Sequence, residues 1–154
     1  MRWARELHSW SRMTSAIIER LSLHGRVLLA EDDAELRGLL ASVLRKQGFE
    51  VIEVEDGRRL LGHLARCVPY GPHQSPDVIV SDVRMPGSSG LAILRGLAAS
   101  TSRVPMVLMT AFPEEEMRAR ALGHGAVALL DKPLDLEELL RVVARSIFRR
   151  PAWA

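Results

Sequence analysis

Five short apolar runs, each followed by a helical segment, limit what this chain can fold into. The runs are 26–30, 50–54, 77–81, 105–109 and 126–130. They read as strands with almost no polar alternation, so both faces of each must be covered. After them, apolar residues recur at helical spacing over 34–47, 58–66, 89–99 and 135–149, and 113–122 reads as a short polar helix with Glu114, Glu115, Glu116, Arg118 and Arg120. Alternating β and α segments of this kind predict a parallel sheet with helices on both sides. Ligands of such sheets bind at the carboxyl ends of the strands, where the strand order reverses.

Polar residues stand at four of those ends. Glu31-Asp32-Asp33 follows the first strand, Asp82 the third, Thr110-Ala111 the fourth and Lys132-Pro133 the fifth. Parallel strands bring all four groups to one rim. Clustered carboxylates without a cation repel one another. Mg²⁺ takes oxygen ligands and relieves that repulsion. An aspartate carboxylate can form an acyl phosphate. A metal ion, an ammonium and a hydroxyl can stabilise the charge that develops on the phosphoryl oxygens. The chain has no GxxxxGK[ST] and no GxGxxG, so the phosphoryl group is expected to arrive on another molecule.

The turn residues fit the same scheme. Gly48 should end the first helix as a left-handed glycine. Asp33 should cap that helix, and Asp56-Gly57 should turn the chain after the second strand. Asp135 with Glu138 has the spacing of a capping box. The expected inward positions include Leu36, Leu39, Leu40, Val43 and Leu44, then Leu60, Leu61 and Leu64. The last helix adds Leu139, Leu140, Val143, Ile147 and Phe148. The segment from Cys67 to Pro76 is a loop of about ten residues, longer than the median connection in such units.

At 154 residues, one domain is expected. The formal charge of +2 is too small, and the basic residues too scattered, to imply direct nucleic-acid binding. A single cysteine, Cys67, excludes an internal disulfide and fits a reducing compartment. Nothing near it forms a base arrangement, so it is not read as a nucleophile. No apolar run reaches the roughly 18 residues of a membrane helix, and no apolar h-region marks a signal peptide. A cytoplasmic protein with no membrane association is the expectation. The histidines at 8, 24, 63, 73 and 124 have no metal-ligand spacing and are read as surface residues.

Residues 1–24 stand apart. Trp3, Leu7, Trp10, Ile17 and Leu21 share one helical stripe, weakened by Thr14. An amphipathic N-terminal helix is expected there. Docking on a partner, pairing with a second copy in a homodimer, packing on the main domain, and no role at all remain open.

The motifs taken in order resemble the receiver domain of two-component response regulators, the CheY-like superfamily. The matching text is Val27 to Asp33, Asp56-Gly57, Asp82 to Gly87 with Gly90, Thr110-Ala111, Gly125-Ala126 and Asp131-Lys132-Pro133. The resemblance covers about 25–148. It implies a flavodoxin-like doubly wound sheet of five strands in the order 2-1-3-4-5, with five helices. It implies that Asp82 is the phosphoacceptor, with Lys132 and Thr110 as the phosphate-contacting lysine and the switch hydroxyl. Mg²⁺ would be held by Glu31, Asp32, Asp82 and the backbone carbonyl of Arg84. A cis peptide before Pro133 is also implied. The donor would be a sensor histidine kinase or a phosphotransfer protein, and the output a downstream protein target. The protein would then be a phosphoacceptor and not an enzyme acting on other substrates.

Three places depart from the family. Position 129, three before the lysine, is often aromatic and here is leucine. The 67–76 loop carries extra residues. Only Arg149 to Ala154 follow the last helix, so the expected organisation is a 1–24 extension, a 25–149 receiver and a 150–154 tail without an effector domain. Three rivals stand beside this reading. One is a receiver belonging to a hybrid kinase or a multidomain regulator. Another is an aspartyl phosphatase or phosphotransferase, which commonly uses Asp-x-Asp, where Arg84 fills the second place. The third is a phosphorylation-independent interaction module.

Overall fold

The computed structural model describes residues 25–67, 75–99, 104–112 and 114–148. The helix expected over 1–24 and the tail at 150–154 lie outside the described residues. Five strands alternate with five helices: β1 Arg26–Ala30, α1 Ala34–Lys46, β2 Glu50–Val54, α2 Gly57–Cys67, β3 Val78–Asp82, α3 Gly90–Ala99, β4 Met106–Thr110, α4 Glu115–Gly123, β5 Ala128–Asp131 and α5 Leu136–Phe148. The strands form one parallel sheet in the order β2-β1-β3-β4-β5, as expected. The order reverses between β1 and β3, so the crevice lies above their carboxyl ends. Among the described residues, no helix is long and apolar enough to cross a membrane.

The two faces of the sheet are covered by different helices. On one side Val27, Leu29, Val78, Val80, Val107 and Met109 meet Leu40, Ala41 and Leu44 of α1 and Leu139 and Val143 of α5. On the other, Leu28, Ile79, Met106, Leu108 and Leu129 meet Leu60 of α2, Leu91, Ile93 and Leu94 of α3 and Ala121 of α4. Every residue of β3 and β4 is buried, which is why those runs show no polar alternation. The β2 edge is laced with ion pairs. Arg26 pairs with Glu50 at 3.2 Å, and Arg45 pairs with Glu53 at 3.0 Å. Such charges discourage edge-to-edge pairing.

Helix starts and stops follow their local chemistry. The Asp33 carboxylate accepts from the Glu35 and Leu36 amides at 2.9 and 3.0 Å. Asp135 does the same for Glu137 and Glu138, and Asp56 for Arg59. Gly48 takes φ +91°, as its place after α1 requires.

Some inward assignments change. Leu39, Leu61 and Phe148 are exposed, and Ala41, Cys67 and Ser146 are buried instead. In α1 the stripe is Leu40, Ala41 and Leu44, and a 100° step carries Leu39 off it. Leu61 stands one such step from buried Leu60, and Phe148 is the last residue of α5. Element ends also shift by a residue or two: β3 includes Asp82 and β4 includes Thr110, each expected just beyond its strand. His63 is not a plain surface residue, because its Nε2 is buried with no hydrogen-bond partner among the described residues.

Burial, then the charges of Arg66 and Arg26, pull the His63 pKa below the ordinary value. A histidine held neutral in the fold binds its proton more readily when unfolded. Its contribution is therefore complete above the unfolded value of about 6.5 and is lost as pH falls below it. Denaturation midpoints measured from pH 7.5 down to pH 5.5 should fall, and His63→Gln should flatten that slope.

Two glycines hold the loop that follows β3. A Cβ on Gly90 would lie 2.3 Å from the Asp82 carbonyl oxygen, and one on Gly57 would lie 1.8 Å from the Ser88 carbonyl oxygen. Both approaches are to backbone, which cannot move aside cheaply. Gly90→Ala should cost about 1–3 kcal/mol by overpacking, read as a lowered denaturation midpoint.

Candidate functional site

The four polar features converge as the parallel topology requires. Glu31 directly follows β1, and its amide donates to the Val54 carbonyl of β2 at 3.2 Å. Asp82 closes β3 and Thr110 closes β4. Lys132 directly follows β5, and its amide donates to the Thr110 carbonyl at 2.7 Å. The Lys132–Pro133 peptide is cis. Glu31, Asp82 and Thr110 are buried, and Asp32 is exposed at the mouth.

Lys132 is the hub. Its Nζ donates to Glu31 Oε2 and to Asp82 Oδ2, each at 2.8 Å. The Glu31 side chain is only 1% exposed. Burial pushes its carboxyl above the usual range, and the Asp82 charge pushes the same way. The bond from Lys132 and the Asp33 amide at 3.1 Å offset part of this. Burial alone would lower the Lys132 ammonium, but the bonds and charges of Asp82 and Glu31 outweigh it, so its pKa is raised. One ammonium thus serves two buried acids, and the cluster remains short of positive charge.

One oxygen each from Glu31, Asp32 and Asp82 lies within 4.8 Å of the others. Hard oxygen donors on a rim with an exposed member suit Mg²⁺, which keeps several waters of its own. The donor set and its unbalanced negative charge therefore fit a divalent cation.

The loop after Asp82 is fixed by short bonds. Val83 donates to the Met109 carbonyl at 2.8 Å, and Gly90 donates to the Val83 carbonyl at 3.0 Å. The Arg84 amide donates to Asp82 Oδ1 at 3.2 Å. The Arg84 guanidinium extends over the Phe112 ring, 4.8 Å from its centre. At an exposed position that contact contributes about 0.5–1 kcal/mol. The Thr110 hydroxyl bonds the main chain of Phe112, accepting from its amide at 3.1 Å and donating to its carbonyl at 3.2 Å.

Three participating residues escape a reading of the strand ends alone. Arg37 of α1 donates to the Glu31 carbonyl at 2.8 Å and lies 3.6 Å from Glu53, steadying the acidic turn. Arg118 of α4 donates to the Leu129 carbonyl and grips both oxygens of Asp131. Phe112 is the third. Helical phase could have suggested Arg37, which sits one turn into the helix that Asp33 caps. No signal at the level of sequence pairs Arg84 with Phe112.

Mg²⁺ should raise the denaturation midpoint of this protein in a saturable way. A ligand that binds only the folded state contributes about 2.7 kcal/mol at a hundred times its Kd. Asp32→Asn, at an exposed position, should remove most of that rise while leaving the metal-free midpoint nearly unchanged.

Comparison with known proteins agrees with this geometry. A family profile described as the response regulator receiver domain matches residues 27–144. The regulatory protein AtoC of Escherichia coli K12 is 35% identical over 122 residues, covering 79% of this chain and 25% of AtoC. The transcriptional regulatory protein PdtaR of Mycobacterium tuberculosis H37Rv is 34% identical over 125 residues, 80% of this chain and 57% of PdtaR. The chain therefore spans a quarter to somewhat over half the length of these relatives. Among solved structures, the chemotaxis response regulator CheY4 of Vibrio cholerae superposes with a TM-score of 0.68 at 27% identity, covering 79% of this chain and 98% of that one. A signal receiver domain of a signal transduction histidine kinase from Syntrophus aciditrophicus superposes at 0.71 with 28% identity, covering 83% and 96%.

Proposed function

Because the chain belongs to the family of response regulator receiver domains, phosphoacceptor modules of two-component signalling, we propose that Asp82 is its phosphoacceptor. The observation that carries this is the Lys132 ammonium, bonded at 2.8 Å to both Asp82 and Glu31 beside the exposed Asp32. A carboxylate oxygen of Asp82 attacks phosphorus of a phosphohistidine on a sensor histidine kinase or phosphotransfer protein. The new P–O bond forms as the P–N bond breaks, and the departing imidazole nitrogen takes up a proton. Glu31, Asp32, Asp82 and the Arg84 carbonyl would hold Mg²⁺, which would supply positive charge to the phosphoryl oxygens. Lys132 orients and neutralises the same group, and Thr110 supplies a hydroxyl to it.

The phosphorylated Asp82 biases an existing two-state equilibrium, and the output is protein contact on the face built from α4, β5 and α5. The relatives' names place AtoC and PdtaR in regulation, but the match covers 25% of the one and 57% of the other. A second reading, a receiver module within a longer regulator or hybrid kinase, draws support from that partial coverage and from the kinase-borne receiver of Syntrophus. Both readings share the same chemistry at Asp82. A cytoplasmic location and a 25–149 receiver unit complete the proposal.

Incubation with a small acyl phosphate should add one phosphoryl group by intact mass, only with Mg²⁺ present. Asp82→Asn should add none. Lys132→Ala should slow the transfer by about 10²-fold or more, the scale of losing one preorganised charge donor. Unmodified wild-type mass in the presence of Mg²⁺ would sink the proposal.

A further inference from the structure

The Thr110 hydroxyl has a prior engagement. Its single proton goes to the Phe112 carbonyl, and its oxygen accepts from the Phe112 amide. It cannot donate to a phosphoryl oxygen on Asp82 without giving up the bond to that carbonyl. Phe112 is itself held from the other side. Its ring, 56% exposed, lies against the Arg84 guanidinium, while the Arg84 amide donates to Asp82 Oδ1. A chain of contacts therefore runs from Asp82 through Arg84 and Phe112 to Thr110, joining the ends of β3 and β4.

Position 129 offers no equivalent. Leu129 is 4% exposed and packs in the core beneath α3 and α4. Its side chain has no polar atom, and its carbonyl is held by Arg118 at 3.2 Å.

We propose that Phe112, clasped by Arg84, is the aromatic element that follows Thr110 in this chain, and that a phosphoryl group on Asp82 opens the clasp. The inference rests on the phosphoacceptor reading of Asp82. Two forces act together. Thr110 releases the Phe112 main chain as it turns to the phosphoryl oxygens. The guanidinium is drawn from a weak contact on an exposed ring toward a doubly charged anion, with which it forms stronger charge-assisted bonds. The ring is then freed at the approach to α4, where it becomes an apolar contact for a partner in one state only.

The test is NMR of the full chain with Mg²⁺ and beryllofluoride, a tetrahedral mimic of a phosphoryl group on a carboxylate. Bound fluoride resonances report occupancy, and ring-current shielding of the Arg84 Cδ protons reports the clasp. In free wild type these protons should be shielded, and the shielding should fall by at least half when the site fills. Phe112→Leu should lack the shielding in both states. Thr110→Ala, at beryllofluoride concentrations that fill its site, should keep the free-state shielding, and Thr110→Ser should restore the change. A filled wild-type site with Arg84 still shielded would overturn the clasp and leave the phosphoacceptor reading standing. Thr110→Ala responding like wild type would overturn the coupling through the hydroxyl. No bound fluoride in wild type would defeat the phosphoacceptor reading itself, and the clasp with it.

Discussion

The ammonium of Lys132 between Glu31 and Asp82 is the contact on which the site depends. Glu31 is almost fully buried, and Asp82 nearly so. Removing one partner from a buried ion pair costs about 3–5 kcal/mol, because the remaining charge is stranded. Lys132 meets both acids at once, so three elements far apart in sequence share one electrostatic solution. Yet one positive charge does not balance two buried acids and Asp32 at the rim. That deficit is what a divalent cation would correct.

The backbone makes this economy possible. Parallel strands deliver their ends to one edge, and the reversal of order between β1 and β3 opens the crevice there. Close packing then fixes the loop after Asp82. Gly57 and Gly90 allow main chain to approach main chain at distances no Cβ would permit. The Val83 and Gly90 amides tie the same loop to β4 and to itself. Asp82 is thereby presented on a rigid support, while Thr110 is engaged through two hydrogen bonds that can be exchanged for others. Under the proposed function, that pairing of a fixed carboxylate with an exchangeable hydroxyl is what a switch requires.

The fold was legible because its signals are local or periodic. Short strands buried on both faces write continuous apolar runs, and Asp33, Gly48 and Asp135 mark helix ends by their own hydrogen bonds and backbone angles. Glu31, Asp32, Asp82, Thr110 and Lys132 were legible for the same reason, each standing at a strand end. What escaped depends on side-chain reach across elements. Arg37 and Arg118 act through long side chains whose targets are carbonyls, which leave no mark in sequence. Leu39 and Phe148 look like core by residue type and are exposed by helical phase or position. The Arg84–Phe112 contact joins two loops that no periodicity relates.

The central claim is that the phosphoryl group resides on Asp82 and on no other carboxylate of the rim. Borohydride reduction of the phosphorylated protein converts an aspartyl phosphate to homoserine, and peptide mass spectrometry then locates it. The account predicts homoserine at position 82 alone. Reduction at Glu31 or Asp32, or at a carboxylate away from the rim, would contradict it.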